Sequence, residues 1–524
     1  MSGGLPSGAL VAAGAALAAA ALVYLLRLAL RPLSPPAVQD TQAVARRFRR
    51  NALAPIAASV ADRVLFWAFW IVALRILGPA GNGEYAFALN LLTYVGTLVD
   101  FGLGTLVTRE VARDPNALAS VFGQALALRG RLLLAGIPVM LGVAFAYWAG
   151  GAISGTTVAV AAILAAGLVP SAVNQAYAAV YGAWERMDRR AYVVVGTSGL
   201  TVGLGLLLLG LGLGVLGVAL AGLASSLGTV VALARPVGFG LLASGRAARA
   251  ADLRRLAAAS LPLMLNSLLA TAFIQVDVLI LQPLQGTEVV GNYNAAYKFI
   301  NALNVLPASI VLAAFPIMAR ASADPVALAE WFARAWRVLI TLGAGATALG
   351  FIFAADIVGG LLGQAFLPDA ATALAILIWF VPLSYLNGTL QYVLISLDRQ
   401  WWLTPAFAAT TAFNVGLNLA LIPAFSFRAA AVVTVASEAV LLGIFLWLLR
   451  REPAVRRIVE PAVRPVLAVV PTVAAAWAVR DLPWLAGGAL ALAVYVAGLL
   501  ATGGLRIGSL HALGSAVTGR ARTE

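Results

Sequence analysis

The stretches LGPAGNGEYAFALNLL (residues 77–92) and PLQGTEVVGNYNAAYKFIN (residues 283–301) are two versions of one turn. Each closes in Gly-X-Tyr and opens a long apolar run. Each run leads to basic residues and then to a matching segment, DPNALAS (114–120) in one case and DPVALAE (324–330) in the other. The copies stand about 208 residues apart, enough chain for six membrane helices. A six-helix unit repeated in one orientation implies two lobes related by an axis along the membrane normal, with a site between them.

Composition agrees with a membrane chain. The 524 residues are 62% hydrophobic and 11% charged, with a mean hydropathy of +0.95. A soluble domain has about 45–50% apolar and about 25% charged residues. A bilayer core of about 30 Å takes about 20 apolar residues per helix. On that ruler, spans are expected near 9–30, 54–77, 85–107, 131–150, 157–182, 191–211, 213–234, 259–282, 292–317, 332–355, 370–397, 404–423, 429–449, 465–480 and 484–503. The predicted fold is an all-α polytopic membrane protein. It divides into an extra N-terminal helix and basic linker (1–50), a first six-helix lobe (51–245), a second (246–450), and two further helices with a tail (451–524).

Arginines set the orientation. Let the 54–77 span start in the cytoplasm. Every second loop is then basic: Arg109 and Arg113; Arg186, Arg189 and Arg190; Arg235, Arg246, Arg249, Arg254 and Arg255; Arg320, Arg334 and Arg337; Arg399; Arg450, Arg451, Arg456, Arg457 and Arg464. The opposite loops hold only Arg428 and Arg480. Short cytoplasmic loops carry such an excess. The reading is a plasma (inner) membrane protein with its N-terminus outside and its C-terminus in the cytoplasm. The first apolar run has no basic residue before it, unlike a signal peptide, and reads as a true helix.

Net charge is +14, spread over these loops rather than gathered on one soluble face, so no nucleic-acid partner is expected. With no cysteine, thiolate metal sites are excluded, and the single histidine, His511, lies in the tail. No P-loop or nucleophile motif is present. The outer loops are short and hold few acids, which argues against a membrane glycosyltransferase. The chain is read as a transporter, not an enzyme, and as needing no cofactor.

The segments RVLFWAFWIVALRILGPAGNGEYAFALN, LVDFGLGTLVTREVAR, LPLMLNSLLATAFIQVDVLILQ and VGNYNAAYKFI, within residues 51–450, resemble the polysaccharide transporter (Wzx-like oligosaccharide flippase) family. That family belongs to the multidrug/oligosaccharidyl-lipid/polysaccharide (MOP) exporter superfamily. The resemblance implies a MATE-like pair of lobes around a central cavity. It also implies transfer of a polyprenyl-diphosphate-linked oligosaccharide to the outer leaflet by alternating access. Expected partners are that lipid-linked oligosaccharide, membrane lipid and a glycan polymerase or other assembly protein. A lipid II flippase and a multidrug or cation extruder are the rival readings. The extra N-terminal helix departs from the family pattern.

Charges inside helices mark candidate sites, because each costs about 2.5–3.5 kcal/mol at the bilayer centre on insertion scales. Arg63 lies about 21 Å from the outer end of its helix and Asp100 about 22 Å down the next, so the two are expected to be able to pair. Asp277 and Lys298, the only lysine, lie about 8 and 9 Å from the outer ends of their hairpin, at one level where an ion pair is allowed. Asp62 and Glu438 complete the set as possible proton- or sodium-coupling carboxylates. Arg75 is a candidate outer-gate contact, and Arg129 and Arg131 are assigned to the cytoplasmic edge of their helix. Fixed cations facing water lower the barrier to a diphosphate, and arginine offers a fork where lysine offers a point charge. Basic residues at positions resembling Arg63 and Lys298 line the cavity of lipid II flippases, which the resemblance carries over to these two. The repeat puts Asn90 where the second lobe has Lys298. Asn174, Gln175, Asn266, Gln275, Asn301, Asn304, Asn387, Gln391, Asn414 and Asn418 are candidates either for sugar contacts or for interhelical hydrogen bonds. Tyr177, Tyr181, Tyr297 and Tyr392 divide between sugar stacking and packing.

Overall fold

The computed structural model describes residues 7–31, 41–247, 249–304, 307, 310–311, 314, 318–322, 324–453, 458–479 and 482–504. His511, Arg456, Arg457, Arg480 and the tail beyond 504 lie outside the described residues, as do 32–40 of the basic linker and parts of the span expected at 292–317.

Among the described residues the secondary structure is helical throughout. In chain order the helices are α1 (Ser7–Ala29), α2 (Thr41–Asp100), α3 (Leu103–Arg113), α4 (Leu118–Ala149), α5 (Gly155–Ala183), α6 (Met187–Gly210), α7 (Gly214–Val237), α8 (Ala250–Gln285) and α9 (Thr287–Leu303). They continue with α10 (Pro325–Ile352), α11 (Ala354–Leu361), α12 (Asp369–Leu377), α13 (Phe380–Ser396), α14 (Leu403–Leu448), α15 (Val459–Ala478) and α16 (Trp484–Ala501). Twelve helical segments among the described residues are long and apolar enough to cross a membrane. Two of these, Val60–Arg113 and Gln400–Leu448, contain kinks at Gly78 and Ser426. The chain is a multi-pass membrane protein.

The repeat is written into backbone geometry. Gly78, before the first Gly-X-Tyr, has φ 65° and ψ −176°; Gly286, before the second, has φ 85° and ψ 173°. That region is essentially glycine-only, because a Cβ there meets the peptide backbone. The DP segments also share one cause. Asp114 accepts from Asn116 N at 3.0 Å and Asp324 from Val326 N at 2.9 Å, each capping the helical turn that its proline opens.

Packing separates two units, Met1–Gly291 and Asn292–Glu524. In the first, the two limbs of α2 fold back on each other, with Trp70 against Tyr85 at a ring distance of 5.2 Å. A core of Phe87, Leu91, Val95, Met140, Leu164 and Val215 joins α2 to α4, α5 and α7. The packed unit ends later than the sequence lobe at 245 because α8 lies along the second limb of α2. Asn90 Nδ2 donates to Gln275 O at 3.0 Å, and Thr97 and Thr271 hydroxyls meet at 3.3 Å.

The N-terminal helix is an integral part of this unit. A Cβ on Gly203 of α6 would lie 2.4 Å from Ala18 N, so α1 and α6 touch backbone to backbone. Arg189 Nη2 donates to the carbonyls of Leu28 and Arg31, satisfying the free C-terminal end of α1. In the second unit, α10 carries α13 on one side and α15–α16 on another. Tyr385 OH donates to Leu303 O at 2.6 Å, Trp336 Nε1 to Ile458 O at 2.9 Å, and Tyr495 OH to Thr341 O at 2.7 Å.

The ruler of apolar residues measures membrane thickness and not helix length, so α4 and α8 begin well before 131 and 259.

Candidate functional site: charges within the membrane helices

The first unit holds five of the seven candidate groups. Asp62 is half-buried on the first limb of α2, and its Oδ1 accepts a hydrogen bond from Ser198 Oγ of α6. Beside it runs a polar seam. Thr197 and Thr229 hydroxyls meet at 2.7 Å, and Asn174 Nδ2 reaches Ser226 O at 3.1 Å. Arg63, the next residue, has an exposed side chain and neither an ion pair nor a hydrogen bond among the described residues. Arg75 is also exposed, one turn before the kink at Gly78.

Asp100 is paired, but not with Arg63. Its Oδ1 takes Arg129 Nη2 at 2.7 Å; the Arg129 side chain is 0% exposed and that of Asp100 39%. Topology alone does not account for Arg129, expected at the cytoplasmic edge of its helix, because it is fully buried and ion-paired. Because α4 starts at Leu118, Arg129 sits well inside the helix, among the apolar residues that flank the break after Asp100. At that break Phe101 adopts φ 52° and Gly102 φ 71°. The only signal in the sequence was an arginine near the end of an Ala- and Leu-rich stretch, which the hydropathy ruler cut off.

Asp277 is buried in α8 and caps its own neighbour, with Val278 N donating to Oδ1 at 2.9 Å. Lys298 lies on α9 in the second unit, where Nζ donates to Asn294 Oδ1 at 2.6 Å. The two belong to different units, and each is described within its own. Asn90, the repeat counterpart of Lys298, is spent on Gln275.

Glu438 is buried in the second limb of α14, where Asn387 Nδ2 of α13 donates both to its carbonyl, at 2.8 Å, and to Oε2. Asn414 Nδ2 donates to Ser437 Oγ at 3.0 Å and Asn418 Nδ2 to Asn414 Oδ1 at 2.8 Å. Asn387 and Asn414 therefore tie separate helical segments together beside a buried carboxylate, and Asn418 holds Asn414 within its own limb. The hydroxyls of Tyr177 and Tyr181, both 0% exposed, donate to Gly238 O and Leu233 O, so these two rings belong to packing. No cluster of metal-ligating side chains exists among the described residues.

The two repeat turns meet each other. A Cβ on Gly83 would lie 1.9 Å from Thr287 O, and one on Gly291 would lie 1.8 Å from Pro79 O. Asn82 Nδ2 donates to Gly291 O at 2.6 Å. Gly83 and Gly291 are the glycines of the two Gly-X-Tyr motifs, and each rests on the carbonyl four residues before the other.

The sequence model of the polysaccharide biosynthesis protein family matches residues 48–322, more than half of the chain. The chain belongs to the polysaccharide biosynthesis protein family. No curated relative matches this family member in sequence. Among solved structures, the lipid II flippase MurJ in an inward closed conformation is similar to it at a TM-score of 0.69 and 11% identity, covering 84% of this chain and 98% of that one. A multidrug resistance MATE family transporter of the MOP superfamily, inward-facing, is similar at 0.55 and 17%, covering 83% and 99%. These likenesses show the fold: this polysaccharide biosynthesis protein shares the all-α polytopic architecture of those two structures.

Proposed function

We propose that the protein is a flippase that carries a polyprenyl-diphosphate-linked oligosaccharide from the cytoplasmic to the outer leaflet of the plasma (inner) membrane by alternating access. In this reading the N-terminus lies outside and the C-terminus in the cytoplasm, and the released glycan lipid passes to a polymerase or other assembly protein. The observation that carries the proposal is Arg63, an exposed guanidinium on a membrane limb with no carboxylate partner among the described residues. A cation held there without an anion costs energy unless it serves water or an anionic ligand. A diphosphate is the anionic part of the proposed substrate, and Lys298, within the second unit, is a further candidate cation whose side chain Asn294 holds in place. Asp62, fixed by Ser198, keeps the neighbourhood of Arg63 polar. A cavity for organic cations would favour acids at these positions instead.

Reconstituted vesicles loaded with labelled polyprenyl-diphosphate oligosaccharide test the reading. Arg63→Ala and Lys298→Ala are each expected to slow flipping about tenfold or more, the worth of one charge-assisted phosphate contact. Normal rates in both folded variants would sink the cation site. Preferential transport of lipid II, or of an organic cation, would replace the substrate assignment.

Coupling is assigned to Glu438, a buried carboxylate tied to an asparagine cluster, with Asp62 as a second site. In the same vesicles, flipping by the native chain is expected to respond to an imposed proton or sodium gradient, and Glu438→Gln to remove that response. An unchanged gradient response in Glu438→Gln excludes it.

A further inference from the structure

The second unit contains a cleft of about 180 Å³ lined by Arg337 of α10, Glu460, Pro461 and Arg464 of α15, and Gly504 beyond α16. Three charged groups share this small space, yet none forms an ion pair among the described residues. Glu460 and Arg464 stand one helical turn apart in the favourable acid-before-base order and would ordinarily pair. Instead Arg464 Nη1 donates to Gly503 O at 3.0 Å. Gly503, at φ 66°, ends α16 and turns that carbonyl toward α15. Arg337 is half-buried and forms no ion pair with an acid among the described residues. The cleft thus presents two guanidinium groups and one carboxylate, all uncommitted to one another.

An apolar face begins at the same place. Val463, Leu467 and Val470 of α15 are exposed three, seven and ten residues after Glu460, so they form one ribbon along the helix that starts at the cleft. In a bilayer that ribbon lies against acyl chains, and the cleft stands at its headgroup end.

We propose that this cleft binds the headgroup of a zwitterionic phospholipid of the aminoethyl phosphate type. The phosphate lies between Arg337 and Arg464, the ammonium lies on Glu460, and an acyl chain follows the apolar ribbon of α15. Two cations and one anion match a phosphate and an ammonium. A purely anionic headgroup would leave Glu460 facing like charge, and a soluble phosphate compound would have no use for the ribbon.

The test is lipid titration of the delipidated, purified full chain, with bound lipid counted by native mass spectrometry. The lipids are dioleoyl phosphatidylethanolamine, phosphatidylglycerol and phosphatidylcholine. One saturable phosphatidylethanolamine is expected, bound about tenfold more tightly than phosphatidylglycerol. Glu460→Gln is expected to weaken phosphatidylethanolamine alone and cancel the preference. Arg337→Gln is expected to weaken both lipids about tenfold. Arg464→Gln does the same but also loses the Gly503 contact, so Arg337→Gln, checked by an unchanged melting temperature, decides the matter. Three results overturn the proposal: unchanged phosphatidylethanolamine affinity in Arg337→Gln, a preference that survives Glu460→Gln, or competition by free phosphoethanolamine at the lipid's own affinity.

Discussion

Gly83→Ala is expected to destabilise the protein by about 2 kcal/mol or more, and to reduce flipping with it. The added Cβ would sit 1.9 Å from Thr287 O, and contacts under 3.0 Å are essentially never made by real Cβ atoms. The obstructing atom is a backbone carbonyl in a helix, so it cannot rotate away as a side chain does. The N-terminal end of α9 must move off α2 by about an ångström. That movement also strains the Asn82 hydrogen bond to Gly291. Gly291→Ala, whose Cβ meets Pro79 O at 1.8 Å, is expected to cost a similar amount. Both changes force one separation, so the double variant should cost clearly less than the sum of the two. Gly142→Ala, in a membrane helix with open space around it, is the control and is expected to be neutral or slightly stabilising. Melting temperatures in detergent measure all four. A Gly83→Ala variant as stable as Gly142→Ala would disprove the backbone crossing.

Asp100→Asn is expected to cost about 3 kcal/mol, more than Arg129→Met does. The two partners are buried to different degrees, and this asymmetry sets the order. Arg129 is 0% exposed, whereas the Asp100 side chain is 39% exposed and stays in touch with solvent or headgroups. Neutralising Asp100 strands a guanidinium whose Nε and Nη1 already lack hydrogen-bond partners. Replacing Arg129 with methionine fills the apolar pocket and leaves a carboxylate that can still hydrate. The double variant Asp100→Asn/Arg129→Met should therefore regain most of the loss seen in Asp100→Asn alone. Thermal unfolding of the three variants gives the order directly. If Arg129→Met proves the more damaging single change, the pair matters through Arg129 contacts other than Asp100.

Much of the fold was legible because it follows from one-dimensional rules. Apolar run lengths located the membrane helices, since a bilayer demands a fixed rise of apolar helix. The Gly-X-Tyr and Asp-Pro segments located the repeat. The structure shows why they recur: Gly78 and Gly286 share a backbone conformation closed to other residues, and Asp114 and Asp324 cap the turns that follow. The charged candidates were legible as well, because charge inside an apolar run is visible in any sequence. Their partners were not. Arg63 and Asp100 had compatible depths, but depth along a helix says nothing about which face a side chain occupies. The true partner, Arg129, lay in a stretch whose helicity the hydropathy ruler could not register.

The sequence by itself determined what is local or periodic: an all-α multi-pass chain, two glycine-dependent turns with matching Asp-Pro segments, and a short roster of charges inside apolar runs. Only the tertiary structure decided what those elements touch. It brought Gly83 against Thr287 and Gly291 against Pro79, gave Asp100 to Arg129, set Asn387 on Glu438, and docked the extra N-terminal helix on α6 through Gly203 and Arg189. The physical reason is that close approach and charge pairing depend on the distance between residues far apart in the chain. Helical periodicity fixes the face of each residue relative to its own helix, and leaves the identity of the facing helix to packing.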